Sequence, residues 1–472
     1  MFDGVVLDKP QEQCGIFGIF CNNKKVDVAR LTYYSLYSLQ HRGQESAGIA
    51  VSTGDSIISH KQMGLVPEVF DDNILDKLKG IAAIGHVRYS TTGSSVLANA
   101  QPLVVKYKSG TMAIGHNGNL VNALKIREEL EDEGTVFQTT IDSEVIANLI
   151  ARAGLQSIEE GVSNALKKLE GSFALVILTE NKLMGIRDCY GLRPLSLGRL
   201  DGNYMLASET CVFETLGAEF IRDVEPGEIV VIDEKGVRSI KFDETKGNAL
   251  CIFEFVYFAR PDSIIHGSSV HMSRIEAGKQ LAREHPVDAD LVIGVPDSGT
   301  VAAMGYAEES GIPFGIGLIK NRYIGRTFIQ PDQHSRELGV KLKLNPVKAL
   351  IKNKRVVMVD DSIVRGTTSR QIVQMLRDAG AKEVHVRVSS PPIGYSCYFG
   401  IDTSTRKELI GASHTVEEIC KKIQADSLGY ISLEGLIRST GLSREEFCVG
   451  CFEGIYPMKV PGEGNKFLFE KE

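Results

Sequence analysis

A cysteine is the first residue in this chain whose setting suggests chemistry. Cys14 stands in Glu12-Gln13-Cys14-Gly15-Ile16-Phe17-Gly18, at the head of an apolar run. That is where a thiol nucleophile would sit at the start of a β-strand. Three later segments complement it. Gly85-His86-Val87-Arg88-Tyr89-Ser90-Thr91 puts an arginine beside strand-end hydroxyls, and Thr140-Ile141-Asp142-Ser143-Glu144 supplies a carboxylate where a helix begins. Gly115-His116-Asn117-Gly118-Asn119 offers an amide side chain and a glycine N–H, both suited to stabilising an oxyanion. A thiol, oxyanion donors, a cation for an α-carboxylate and an anion for an α-ammonium describe an amidase for glutamine. No single segment is specific, because an isolated cysteine is ordinarily a small core residue.

A second set of residues suggests phosphate chemistry. The run Val356-Val357-Met358-Val359 ends in Asp360-Asp361, followed by Ser362-Ile363-Val364-Arg365-Gly366-Thr367-Thr368-Ser369 and an amphipathic pattern. Adjacent carboxylates at a strand end need hydroxyls or a cation to satisfy them. Gly366 permits a tight turn, and the N–H groups and hydroxyls that open the next helix form an anion cradle favoured by the helix dipole. The spacing is not that of a nucleotide triphosphate loop. Between positions 320 and 355 lie ten basic residues (320, 322, 326, 336, 341, 343, 348, 352, 354, 355) against Asp332 and Glu337. The whole chain carries a net charge of −7, which argues against a general nucleic-acid binder and for a small anionic ligand at the basic segment.

The nine cysteines are odd in number and no basic n-region precedes an apolar core, so disulfides are not expected. Cys448-Val449-Gly450-Cys451 is a CxxC motif compatible with zinc, an iron–sulfur cluster or redox exchange. Two thiolates do not complete a tetrahedral site, so further ligands are required. Cys21, Cys189, Cys211 and Cys420 fit no motif and read as core or surface thiols.

These residues need elements to hold them. With 472 residues the chain is long enough for two domains, and 43% hydrophobic with 24% charged residues is the composition of a soluble globular protein. No long uncharged apolar stretch suggests a membrane span, and a cytoplasmic location is the default. The first half is rich in short apolar runs with helical patterns at 27–40 and 142–154, which predicts stacked sheets faced by helices. Residues 233–246 turn polar and charged, a plausible boundary. The second half predicts a helix over 268–284, then Asp290-Leu291-Val292-Ile293-Gly294-Val295 breaking at Pro296-Asp297-Ser298-Gly299. Further on, strand 356–359, the helix after Gly366 and a strand near 383–389 form a βαβ unit of a parallel sheet. Ligands of such sheets bind beyond the carboxyl ends of the strands.

The segment from Val356 to Ser369 resembles the phosphoribosyl-pyrophosphate (PRPP) motif of type I phosphoribosyltransferases. The resemblance implies Asp360 and Asp361 at the ribose diol and Mg²⁺, and Ser362, Gly366, Thr367 and Thr368 around the 5′-phosphate. Val295-Pro296-Asp297-Ser298-Gly299 is similar to the companion pyrophosphate loop, with Ser298 a metal or pyrophosphate contact. Lys320-Asn321-Arg322-Tyr323-Ile324-Gly325-Arg326 resembles a loop that covers PRPP, which makes Lys320, Arg322, Arg326 and Lys343 partners for phosphate oxygens. The first-half segments, joined by Gln40-His41-Arg42-Gly43-Gln44-Glu45-Ser46, jointly resemble the class II glutamine amidotransferase domain of the N-terminal-nucleophile αββα fold. Carried over by position, Cys14 attacks the amide, Asn117 and Gly118 stabilise the oxyanion, Arg88 and Asp142 hold the glutamine backbone groups, and Arg42 shapes the closed pocket.

Both signatures in this order resemble the amidophosphoribosyltransferase family, in its iron–sulfur, propeptide-bearing branch. That resemblance implies a propeptide over 1–13, an amidotransferase domain over 14–240 and a phosphoribosyltransferase domain over 241–472. It also implies formation of 5-phosphoribosylamine, pyrophosphate and glutamate from PRPP and glutamine, the committed step of purine synthesis. Further implications are Mg²⁺, a [4Fe-4S] cluster on Cys251, Cys397, Cys448 and Cys451, feedback inhibition by purine nucleotides and a homotetramer. Four-cysteine zinc remains the competing assignment for the metal. Because the base in this fold is the nucleophile's own α-amine, activity requires removal of the first thirteen residues. Glucosamine-6-phosphate synthase shares the amidase half, but its isomerase half lacks the Asp360–Ser369 type of motif. A non-catalytic PRPP sensor is the rival from another class, and intact Cys14, Asn117 and Asp142 argue against it.

Overall fold

The apolar runs of the first half form two antiparallel sheets in the computed structural model of the chain. Its described residues are 14–21, 26–89, 93–153, 157–321, 344–401 and 406–461. The expected propeptide and three expected phosphate partners, Arg322, Arg326 and Lys343, lie outside them. The first sheet has seven strands, in the order Glu219–Asp223, Ser196–Leu200, Asn203–Ala207, Gly15–Phe20, Ala82–Arg88, Ser46–Ser52 and Ile57–Met63. The second has six, in the order Gly236–Lys241, Glu228–Asp233, Leu183–Arg187, Gly171–Leu178, Gly110–Leu120 and Leu103–Tyr107.

Side chains alternate across a strand, and here both faces are apolar because both are covered. Ile16 and Phe20 point to the inter-sheet core with Ala174, Val176 and Leu178 of the facing sheet. Phe17 and Ile19 point outward against Ala29 and Leu36 of helix Val28–Ser38. Phe173, Leu175 and Ile177 likewise pack on the outer helices, against Val145, Ile150 and Val162. The result is the expected αββα sandwich. Helix boundaries are shorter than the periodicity suggested, because Asp27 serves as an N-cap, accepting from Arg30 N, and the second helix ends at Arg152.

The second half contains a four-stranded parallel sheet in the order Leu291–Gly294, Arg355–Asp360, Glu383–Val388 and Ser427–Tyr430. Val356 and Met358 pack against Ile372, Val373 and Leu376 of helix Thr367–Asp378. Val357 and Val359 pack on the opposite face with residues of helices Val270–Glu284 and Ser298–Ser310. Helices on both faces are what an all-parallel sheet requires. A separate parallel pairing of Leu250–Cys251 with Phe447–Cys448 ties the chain near residue 250 to the carboxyl-terminal region.

Candidate active site

Cys14 immediately precedes strand Gly15–Phe20, which pairs with Ala82–Arg88 so that Gly15 opposes Val87. This register sets the thiol beside Tyr89, and Sγ donates to the Tyr89 carbonyl at 3.3 Å. Burial pushes the thiol up to about 11, opposed by the Tyr89 hydrogen bond and the charge of Arg88. Glu45 and Asp142 also act electrostatically on it, so four of the side chains surround one point. Arg88 is 2% exposed; its guanidinium donates to the Ser94 carbonyl at 3.2 Å and lies 3.8 Å from Glu45. Glu45 was not singled out from sequence, although it sits in the quoted 40–46 segment.

The facing sheet brings the oxyanion candidates. His86 of the first sheet, paired with Ile16, contacts the His116 carbonyl of the second at 3.0 Å, which places the strand carrying Asn117 and Gly118 across from the strands beside Cys14. Asn117 is 1% exposed, and its Nδ2 makes no hydrogen bond among the described residues. A buried amide donor without an acceptor costs about 1–3 kcal/mol, and a substrate oxyanion would satisfy it. Asp142 opens helix Asp142–Arg152; its carboxylate lies 3.3 Å from His116 Nδ1 and accepts from Leu120 N at 3.1 Å. Burial works against its ionisation, yet the facing His116 imidazole and the Leu120 amide hold its carboxyl below the usual range.

Arg42, expected to shape the closed pocket, is 1% exposed. Its Nε donates to the Cys14 carbonyl at 3.2 Å, its Nη1 to Glu209 at 2.5 Å, and its Nη2 to Glu254 at 2.9 Å. Glu209 also accepts from Ser263 at 2.7 Å and from Arg260 N at 2.9 Å. Glu209 and Glu254 escaped sequence reasoning. The available signal was a glutamate inside the apolar run Cys251-Ile252-Phe253-Glu254-Phe255-Val256, which demands a buried cation.

The residues expected to bind phosphate and metal gather at the carboxyl end of strand Arg355–Asp360. Asp360 and Asp361 are 2% and 0% exposed. Asp361 accepts from Ser362 Oγ at 2.7 Å and from Ser298 Oγ, while its own N–H donates to Asp360 at 2.9 Å. The two expected loops therefore meet at one carboxylate. Gly366 caps helix Thr367–Asp378 with φ +81, a left-handed conformation suited to glycine. The first-turn N–H groups after it have no intrahelical acceptor, and Thr367 is exposed there while Thr368 is buried. Lys320 reaches the same region, its Nζ 2.6 Å from Asp297. Arg274, unnoticed in the sequence, is buried with the Asp361 charge acting on it and donates to the Phe255 and Ala259 carbonyls.

The four cysteines come together from three segments. Cys251 opposes Cys448 in the short parallel pairing, and Cys451 follows one turn later. Each of Cys397, Cys448 and Cys251 acts electrostatically on Cys451. Burial pushes Cys251 and Cys448 each up to about 12, and all four are free of disulfides. Among the described residues no group of three or more His, Cys, Asp or Glu is arranged to hold a metal ion. No helix among them is long and apolar enough to cross a membrane.

Residues 86–215 match the glutamine amidotransferase domain family, and residues 271–390 match the phosphoribosyl transferase domain family. The chain is 50% identical over 454 residues to an amidophosphoribosyltransferase of Bacillus subtilis, covering 95% of each protein. It is 54% identical over 457 residues to one of Archaeoglobus fulgidus, covering 95% of this chain and 99% of that one. A solved B. subtilis glutamine PRPP amidotransferase, complexed with ADP and GMP, superposes with a TM-score of 0.90 at 50% identity, over 95% of this chain and 98% of that one. A second structure, of an allosteric regulatory enzyme of purine biosynthesis, gives a TM-score of 0.91 at 50% identity, over 95% and 97%.

Proposed function

This chain belongs to the amidophosphoribosyltransferase family, and from that premise we propose how its residues divide the work. The reaction is transfer of ammonia from glutamine to PRPP at the first step of purine biosynthesis. Cys14 Sγ attacks the glutamine carboxamide carbon, and the new oxyanion is held by Asn117 Nδ2 and the Gly118 N–H. Ammonia leaves with the proton taken from the thiol, and water then hydrolyses the thioester to glutamate. Arg88 binds the substrate α-carboxylate and Asp142 its α-ammonium. The unsatisfied, buried Nδ2 of Asn117 is the observation that carries this reading.

The base is the α-amine of Cys14 once residues 1–13 are removed, because an amide nitrogen accepts no proton at neutral pH. Maturation then leaves an amidotransferase unit from 14 to about 240 and a phosphoribosyltransferase unit from 241. At the second site ammonia attacks the anomeric carbon of PRPP and pyrophosphate departs. Gly366, Thr367 and Thr368 hold the 5′-phosphate, and Lys320, Arg322, Arg326 and Lys343 neutralise phosphate oxygens. The buried, hydroxyl-bonded carboxylates of Asp360 and Asp361, with Ser298 and Ser362, suit Mg²⁺. When bound, it offsets the charge of the leaving pyrophosphate.

A [4Fe-4S] cluster, in preference to zinc, is our assignment for Cys251, Cys397, Cys448 and Cys451; it rests on the resemblance and on their electrostatic proximity, since the described residues show no group arranged to hold a metal ion. When bound, it would supply a covalent tie between the three segments, and the buried thiols, whose proton affinity is raised, would have to lose their protons to solvent as thiolate ligation replaced them. Anaerobic protein that is brown and absorbs near ~400 nm agrees with iron; colourless, zinc-replete protein rejects it. Purine nucleotides as feedback inhibitors, a homotetramer and a cytoplasmic location complete the reading. The deciding assay is pyrophosphate release from PRPP. Glutamine-dependent release that disappears in Cys14→Ala while ammonia-dependent release survives supports the division. Release with neither nitrogen source in the wild-type protein overturns it.

A further inference from the structure

The second half of the chain meets the oxyanion-hole strand at residues 397–400. Asn119 Nδ2, two positions beyond Asn117, donates to the Tyr398 carbonyl at 2.9 Å. Gly400 has φ +101 and packs on the Gly118 carbonyl, in the peptide next to the one that carries the Gly118 N–H: a Cβ there would lie 3.1 Å from the carbonyl carbon and 3.2 Å from its oxygen. The opposite side of Gly118 is closed too, because a Cβ on Gly118 would lie 2.0 Å from the Ser172 carbonyl oxygen. The Gly118 peptide is thus clamped between a strand of its own sheet and a segment of the other half.

That segment is itself anchored at both ends. Arg193, 0% exposed, donates from Nη2 to the Phe399 carbonyl, and the same Nη2 would be 3.1 Å from a Cβ at Gly400. At the other end, Cys397 Sγ accepts from Phe399 N at 3.3 Å, folding the segment back on the cysteine group. An oxyanion donor contributes only when it stands about 2.7–3.1 Å from the developing charge, and small displacements are costly. Whatever fixes residues 398–400 therefore fixes the distance at which the Gly118 region meets the tetrahedral intermediate.

We infer that Tyr398 and Gly400 are positioning residues of the amidase centre, through which the phosphoribosyltransferase half holds Gly118, and with it the adjoining N–H, at oxyanion-bonding distance. The inference rests on the reading of Asn117 and Gly118 as the oxyanion hole. It makes glutamine hydrolysis, but not use of free ammonia, depend on the segment that begins at Cys397. Substrate binding is set elsewhere, by Arg88 and Asp142, so the effect belongs in kcat rather than KM.

The test measures, on the mature full-length enzyme, glutamine hydrolysis and ammonia-dependent pyrophosphate release in Gly400→Ala, Asn119→Ala and Asn117→Ala. Gly400→Ala is expected to lower kcat for glutamine on the order of 10- to 100-fold, with KM and the ammonia-dependent rate within about twofold of wild type. Asn119→Ala, which adds no bulk and removes the bond to Tyr398, is expected to show the same split at smaller size. An unchanged kcat in both variants overturns the inference, as does an equal fall of the glutamine and ammonia rates in Asn119→Ala. Where Gly400→Ala loses both activities, Asn119→Ala alone decides. Should Asn117→Ala also leave kcat intact, the oxyanion-hole reading itself fails; an impaired Asn117→Ala beside normal Gly400→Ala and Asn119→Ala condemns only the clamp.

Discussion

The two halves of this molecule prepare their chemistry in opposite ways. In the first, the groups that would meet the substrate are buried: Asn117 Nδ2 has no partner among the described residues, and Arg88 is 2% exposed. In the second, the carboxylate of Asp361 is buried but already engaged by Ser298 and Ser362, and the helix that follows begins with an exposed Thr367. The difference follows from the substrates. A neutral amide develops one negative charge during reaction, which fixed donors stabilise best when no solvent has to reorganise. PRPP arrives heavily charged, and a site for it must supply cations and phosphate donors that remain reachable from solvent. One half is thus built around a charge that appears, the other around charges that arrive.

The largest test of that contrast is to disable one half and watch the other. Cys14→Ala should reduce glutamine-dependent pyrophosphate release by on the order of 10⁴-fold or more while the ammonia-dependent rate persists; a parallel loss of both would mean that the halves are not separable. Asp361→Asn should remove release with either nitrogen source by on the order of 10²–10³-fold, and a variant that kept the ammonia-dependent rate would displace the carboxylate from the second site. Asn117→Ala should cost about 10²–10³-fold in kcat for glutamine, the range for loss of one preorganised oxyanion donor.

Stability effects are smaller and probe the seam. Glu254→Ala leaves the Arg42 guanidinium short of a buried partner, and should lower unfolding free energy by about 3 kcal/mol in urea titration, with Glu209 retaining part of the pairing. A value near zero would mean the cross-half ion pair is dispensable. Acid should act on the same network. Burial opposes ionisation of Glu209, but His41 and Arg42 override it and hold its carboxyl far below the usual range. A depressed carboxylate contributes stability that is complete above its unfolded pKa, about 4.3, and is lost as pH falls through its folded value. Glu209→Gln should therefore flatten the decline of stability below about pH 5; an unchanged slope would reassign it to other carboxylates such as Asp142.

The fold was most readable where hydrogen bonding and backbone restriction are local. Asp360, Asp361, Gly366 and Thr367 sit within one strand–loop–helix unit, and a left-handed Gly366 followed by a helix start is dictated by neighbours in the chain. The helix over 268–284 begins at Val270 because Ser269 caps it, accepting from Met272 N, a detail that sits within the ambiguity of any boundary. The Arg42 network was not readable. Its acceptors lie 167 and 212 residues away, and a lone arginine in Gln40-His41-Arg42-Gly43 carries no sign of which carboxylates will enclose it. Arg193 and Gly400 were hidden for the same reason.

What the sequence determined by itself is the set of reacting groups and their local presentation: a cysteine heading a strand, an amide and glycine at a strand end, paired aspartates before a phosphate cradle. Those properties depend on residue type, side-chain alternation and the φ that glycine allows, all encoded within a few positions. Only the tertiary structure decided which groups share a solvent-free space. Stacking one sheet on the other set the strand carrying Asn117 across from the strands beside Cys14, and packing of residues 397–400 onto Gly118 joined the halves at that strand. Burial, and with it the strength of every charge and hydrogen bond at these sites, belongs to the assembled layers and to no segment alone.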